Sequence, residues 1–343
     1  MSRRYKGGVT SATAPVPTGP YQCGTANGIW TLPQQMQSTA AGTWPTAGSL
    51  APGTIAIFAL GTISCLSSTT RNKYTYSGCV STAATASSIP SRQGAAVGNS
   101  TRGIFAIGST TGGVRSDARD KYTYSGDVNA AATVASLGTM QLSAAGNATR
   151  GIFALGSDGT ARTTRNKYTY SGDVSALATA ASVASEMGSA AGNCTFGIFA
   201  LGSILSCGCM VASTTRNKYT YSSDVNAAAT AATNDSYRGA AVGNSTVGIF
   251  ALGVTSCVTT IRNKYTYSGC VVSGGTAASA ASADGSAAGN ATVGIFALGY
   301  TGPPVTTRNK YTYSGDVNAV ATAASAASYS GSAASNGTTG VNV

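Results

Sequence analysis

The residues of this chain that could do chemistry come in a phrase that recurs. Arg-Asn-Lys-Tyr-Thr-Tyr-Ser-Gly starts at Arg71, Arg165, Arg216, Arg262 and Arg308, and stands as Arg119-Asp120-Lys121 in the second copy. In four copies an acid follows: Asp127, Asp173, Asp224 and Asp316. The cations Arg71, Lys73, Lys121, Arg165, Lys167, Arg216, Lys218, Arg262, Lys264, Arg308 and Lys310 would form a basic ring if the copies were arranged in a circle. Such a ring could meet an anionic polymer or an acidic protein surface. The plainer reading is that each pair binds the acid of a neighbouring copy, and nucleic acid is not the expected partner. With 21 basic and 10 acidic residues the net charge is +11.

Catalysis is poorly served. The chain has no His, which removes the commonest acid–base group and the commonest metal ligand. Glu186 is the sole Glu, and acids at equivalent positions of a repeat stand far apart, whereas a glycosidase needs two carboxylates within about 5–10 Å. No enzyme, cofactor or metal site is expected. The Asn-x-Ser/Thr tripeptides at Asn99, Asn147, Asn193, Asn244, Asn290 and Asn336 fall in one repeated turn, so turn chemistry accounts for them without glycans. Cys79 and Cys270 replace the turn acid, and Cys65/Cys79 and Cys257/Cys270 each bracket a strand of roughly 20 Å, too long for a disulfide. The cysteines are read as mostly free.

These residues are positioned by a repeat. The phrase starts are 48, 46, 51, 46 and 46 residues apart, and Gly-Ile-Phe-Ala-Leu-Gly or a close variant precedes each copy. A period of this size marks one supersecondary unit in tandem. In the third copy, Ser143-Ala144-Ala145 reads as a strand, 146–149 as a turn and Ile152–Leu155 as a buried strand. A variable loop, a strand over Asn166–Tyr170, the turn Ser171-Gly172-Asp173 and an Ala-rich outer strand from Val174 to about Ala184 follow. Alternation puts Arg71, Lys73 and Thr75 on one face and Asn72, Tyr74 and Tyr76 on the other, where the tyrosines would fill gaps between units. Four short antiparallel strands per roughly 47 residues make the blade of a β-propeller. The expected fold is all-β: a six-bladed, kelch-like propeller over 49–343, with 331–343 as a strand completing blade one; seven blades are the alternative. The order of strand, Gly turn, apolar strand, loop and Tyr strand resembles kelch repeats, although the double Gly and the fourth-strand Trp are missing.

Residues 1–48 stand apart. They hold both tryptophans, in Gly28-Ile29-Trp30-Thr31-Leu32 and Ala40-Ala41-Gly42-Thr43-Trp44-Pro45. With the opening Tyr5-Lys6-Gly7-Gly8-Val9, this segment resembles the N-terminal element of tailed-phage tail and fibre proteins. The resemblance implies a virion protein, made in host cytoplasm, whose extended segment docks onto other tail, neck or fibre proteins through Ile29, Trp30, Leu32 and Trp44. Many copies per particle are expected, and no membrane: no apolar run reaches the roughly 18 residues of a span. Scaffold phrases barely change, but the loops at 62–69, 109–118, 157–164, 203–215, 254–261 and 300–307 differ in every copy. Constant strands with diversified loops are how a scaffold carries a recognition surface. The expected function is therefore a structural virion protein, with a host adhesin that binds surface polysaccharide through these loops as the alternative.

Overall fold

The computed structural model describes Met36 and residues 53–154, 156–206 and 209–337. The docking candidates Ile29, Trp30, Leu32 and Trp44 lie outside the described residues. Among the described residues, six four-stranded antiparallel sheets carry the repeat, and two small β-ribbons decorate the loops. This is a β-propeller architecture. In the third sheet the strands run Ser143–Gly146, Arg150–Ala154, Arg165–Thr169 and Val174–Ala178 from inside to outside. The burial follows: the innermost strand is wholly buried, and the outermost alternates between half-buried and exposed.

Local chemistry sets the meander. Between the first two strands, Asn147 Oδ1 accepts from Thr149 N at 3.0 Å, Thr149 Oγ1 at 2.9 Å and Arg150 N at 3.1 Å. One side chain thus fixes the turn, as Asx-turn chemistry allows. Between the third and fourth strands, Gly172 and Asp173 take φ of 80° and 55°, the left-handed conformation that Gly and Asp tolerate best. The second-strand glycine is required by packing: a Cβ on Gly103 would lie 2.9 Å from Ala334 Cβ and 3.0 Å from Tyr124 Oη.

Sheet one draws on both ends of the repeat region. Ser332–Ser335 pairs antiparallel with Ile55–Ala59, which pairs in turn with Arg71–Thr75. The innermost strands touch in sequence: Ala95–Gly98, Ser143–Gly146, Ser189–Gly192, Ala240–Gly243, Ser286–Gly289, Ser332–Ser335, and again Ala95–Gly98. Small side chains at these positions let the strands approach closely. Because all pairs are antiparallel, the Asn turns and the Ser-Gly-Asp turns lie at one end of every sheet. The variable loops and the links between sheets lie at the other.

Candidate functional site

The Arg phrase builds the joints between sheets. Each arginine is at most 2 % exposed and reaches into the next sheet. Arg165 stands 4.6 Å from the centre of the Phe199 ring and donates to Asn226 Oδ1 at 2.8 Å and Asn217 Oδ1 at 3.2 Å. The same clasp joins Arg119 to Phe153 and Asn166, and Arg262 to Phe296 and Asn309. Arg216 holds Phe250 and Asn263, and Arg308 holds Phe58 and Asn72 of sheet one. Burial pushes these five guanidinium pKa values down to about 10, which leaves them charged at neutral pH. Of the proposed basic ring, then, Arg71, Arg165, Arg216, Arg262 and Arg308 do not face solvent. A partner could meet only Lys73, Lys121, Lys167, Lys218, Lys264 and Lys310, which are half-buried.

Arg71 differs from its sisters. Besides Asn129 Oδ1 at 2.8 Å, it donates to Asp120 Oδ2 at 2.9 Å, the one buried ion pair among the described residues. Asp120 also accepts from Ser87 Oγ at 2.9 Å and Ser88 N at 3.0 Å. Burial opposes its ionisation, but the serine bonds and the Arg71 charge outweigh that and hold its carboxyl below the usual range. Ser87 occurs only here; the matching residues of the other joints are Ala135, Ala181, Ala232, Ala278 and Ala324. Sequence reasoning missed this pairing, although the Asn-to-Asp and Ala-to-Ser departures at neighbouring positions of the repeat were visible.

Some lysines staple the outer part of the joints. Lys121 Nζ lies 2.8 Å from Asp173 Oδ2, Lys167 Nζ 2.9 Å from Asp224 Oδ2 and Lys73 Nζ 3.9 Å from Asp127 Oδ2. Where Cys270 replaces the acid, Lys218 lies over the Phe196 ring instead, at 5.0 Å. Cys65, Cys79, Cys209, Cys257 and Cys270 are free, whereas Cys194 is held in a disulfide. The turn asparagines are committed: Asn99, Asn147, Asn244 and Asn290 each donate to a backbone carbonyl of the next sheet at 2.9–3.1 Å.

The opposite end carries a site that sequence reasoning did not find. Gln93, Gln141, Met187, Arg238, Asp284 and Ser330, one ahead of each innermost strand, all have φ between 51° and 60°. Their backbones form a circle of hydrogen bonds. Gln141 N donates to Gln93 O at 2.7 Å, Met187 N to Gln141 O at 3.2 Å and Arg238 N to Met187 O at 2.9 Å. Asp284 N donates to Arg238 O at 2.9 Å, Ser330 N to Asp284 O at 2.8 Å and Gln93 N to Ser330 O at 2.8 Å. These residues line a cavity of about 340 Å³, together with Leu142, Tyr237 and Tyr329. Arg238 and Asp284 form a two-pronged ion pair there, with Nε donating to Oδ1 at 2.8 Å and a second bond from Nη2 to Oδ2. That pair holds the Arg238 pKa above its ordinary value.

The variable loops flank this cavity. The first residue of a loop bridges to the strand entering the cavity at Thr62 with Tyr329, Ser109 with Arg92, Ser157 with Met140, Val254 with Tyr237 and Tyr300 with Ala283. Loop 203–215 folds into a hairpin, Ser203–Ser206 on Cys209–Ala212, that extends Ser185–Glu186. A partial signal for the cavity was present: this position, followed by Gly in five of the six copies, differs in nearly every copy, as does the residue before it. Among the described residues no group of three or more acid, Cys or His side chains could hold a metal ion, and no helix is long and apolar enough to cross a membrane.

The chain is similar in fold to the solved structure of YjhT, with a TM-score of 0.57 at 10 % identity, covering 75 % of this chain and 94 % of that one. That likeness, to a β-propeller-type protein, carries the fold alone. No protein-family model and no curated protein matches the chain.

Proposed function

We propose that the chain is a non-enzymatic protein of a bacteriophage virion, built as a six-bladed propeller closed by its C-terminal strand, whose variable face recognises host surface polysaccharide. One observation carries the recognition reading: the loops that differ in every copy and the axial residues share one face, while the Asn and Ser-Gly-Asp turns, which change less, occupy the other. A part that only packs into a shell has no need for such a division. Six blades and closure are supported by the pairing of Ser332–Ser335 with Ile55–Ala59, by the circle of axial hydrogen bonds and by the Arg308 clasp on sheet one. The non-enzymatic reading is supported by the cavity itself, where Asp284 is the one lining carboxylate and is committed to Arg238. The virion assignment rests on the resemblance of 1–48 to phage tail and fibre proteins, and that segment is proposed to dock onto other tail, neck or fibre proteins.

The test uses full-length chains in which the 203–215 loop is exchanged for its shorter counterpart 157–164. Unchanged strands flank both loops, so the fold should tolerate the exchange. Binding to intact candidate host cells and to phage tail particles is measured for both chains. Cell binding that falls on exchange supports the adhesin reading. Binding to particles alone, unaffected by the exchange, leaves a structural virion part and overturns host recognition.

A further inference from the structure

We propose that the axial cavity is a binding site for a neutral sugar unit, the anchoring subsite of the variable face; this deepens the recognition reading and rests on it. The cavity's size, about 340 Å³, falls at the lower end of the range that small-ligand pockets occupy. Its chemistry narrows the class. The backbone N–H and C=O groups of the six lining positions are used in their own circle of hydrogen bonds, so side chains must do the recognising. Gln93, Gln141 and Ser330 offer uncharged donors and acceptors. Arg238 and Asp284 cancel each other's charge, yet an Arg fork and a carboxylate keep further donor and acceptor positions after pairing. A ligand there must carry adjacent groups that both donate and accept, and no net charge; vicinal hydroxyls do so. An anion drawn to Arg238 would be repelled by Asp284, and a cation drawn to Asp284 by Arg238, so the pair favours neither charge.

The apolar part of the lining fits the same ligand. Tyr237 and Tyr329 stand at the rim beside the loops, and Tyr329 makes an edge contact with Tyr300 at 6.0 Å. A half-buried tyrosine presents an apolar body with a polar tip, suited to the C–H face of a sugar ring. Met187 and Leu142 add apolar surface from the neighbouring sheets.

The experiment is saturation-transfer NMR on the full chain with glucose, galactose, rhamnose and N-acetylglucosamine, with glucuronate and glucosamine as charged comparators. At least one neutral sugar should give a saturable signal, and the charged pair weaker ones. In Gln93→Gly/Gln141→Gly the side chains go while the backbone takes a residue at home in its conformation, so folding is kept. Affinity should fall about tenfold or more, the worth of a hydrogen bond or two. Asp284→Asn frees the Arg238 cation and should move the preference from the neutral sugar toward glucuronate by about tenfold, a change that a structural role would not produce. The proposal is overturned if no neutral sugar saturates, if the double glycine variant binds unchanged, or if Asp284→Asn leaves the preference unaltered. Sugar binding in the cavity without any cell binding overturns the adhesin reading and keeps the site. Cell binding that ignores the axial variants does the reverse.

Discussion

The Arg71 joint tests the account of the scaffold through its one departure from the repeat. In five joints the buried arginine donates to an asparagine and an alanine stands at the linking position; in this one Asp120 replaces the asparagine, and Ser87, in the alanine's place, bonds Asp120. If Ser87 is present to satisfy the extra acceptor capacity of a buried carboxylate, the two residues are coupled. Ser87→Ala removes a bond to a charged group, Oγ to Oδ2 at 2.9 Å, at a cost of about 1.5–3 kcal/mol. Asp120→Asn exchanges an ion pair for the amide contact its sisters make, at about 1–2 kcal/mol, because breaking the pair is offset by relief of carboxylate desolvation. In Asp120→Asn/Ser87→Ala the sister joint is recreated, so the double variant should cost no more than Asp120→Asn alone. The coupling is then about 1.5–3 kcal/mol, read as a melting-temperature difference of about 2–4 °C per kcal/mol. The sign with pH is fixed by the depressed Asp120 pKa. A carboxyl depressed on folding adds stability that is fully present above its unfolded value near 4 and is lost as pH falls through the folded one. The Asp120→Asn penalty should therefore be full at pH 7 and shrink below about pH 4. Single-variant effects that simply add at pH 7, to within about 0.5 kcal/mol, would refute the reasoning.

Three further outcomes follow from the same joints. Arg165→Ala should destabilise by about 3–4 kcal/mol in thermal melts, since it removes two hydrogen bonds and a ring contact and leaves a cavity; Arg165→Met, which keeps the stem, should cost less than half of that. Asp173→Asn should cost about 1 kcal/mol, because the Lys121 and Thr133 contacts are partly exposed and two joints already lack the acid. Asp173 ionises more readily than usual: burial works against this, but Lys121, Thr133 and Tyr168 outweigh it, so its contribution too disappears as pH drops below about 4 in acid titrations followed by circular dichroism. Gly98→Ala should lose about 1–3 kcal/mol and perturb the near-ultraviolet tyrosine signal, because the new Cβ would lie 2.5 Å from Tyr124 Oη and 2.8 Å from Ser335 O.

How much of this was legible is best seen residue by residue. The first three strands of the third sheet fall within a residue or two of their expected positions, because period, turn residues and apolar runs agree there; the outer strand starts at Val174 as expected but ends at Ala178, short of the expected end near Ala184. The C-terminal segment was expected to join blade one, and Ser332–Ser335 does pair with Ile55–Ala59. The fate of the arginines was not legible. Alternation puts Arg71 and Lys73 on one face, but it cannot say that Arg71 ends under a neighbouring Phe ring while Lys73 reaches the surface. That depends on depth along the strand and on the adjacent sheet, which one strand's pattern does not encode. The axial residues escaped because motif reading follows what recurs. Gln93, Gln141, Met187, Arg238, Asp284 and Ser330 share a conformation and a hydrogen-bond circle but almost no chemistry.

That mismatch between backbone and side chain is itself the strongest physical argument for a site. At the constant end, left-handed Asp127, Asp173, Asp224 and Asp316 are accounted for: Asp is tolerated there, and the side chains of Asp127, Asp173 and Asp224 bond tyrosines of their own sheets; Cys79 and Cys270 keep the conformation where the acid is replaced. At the axial end the same conformation is occupied by Gln and Met, which are poorly suited to it, and by Arg238, whose side chain pairs with Asp284. A left-handed residue other than Gly gives up roughly 1 kcal/mol, and glycine would remove that strain at every one of these positions without touching the backbone circle. A chain that already uses 44 glycines, and places one directly after five of these six residues, does not lack the means. The side chains are kept against a conformational preference, at the one end of the fold where the loops also diverge. Retained strain of this kind gathers where a protein meets a ligand.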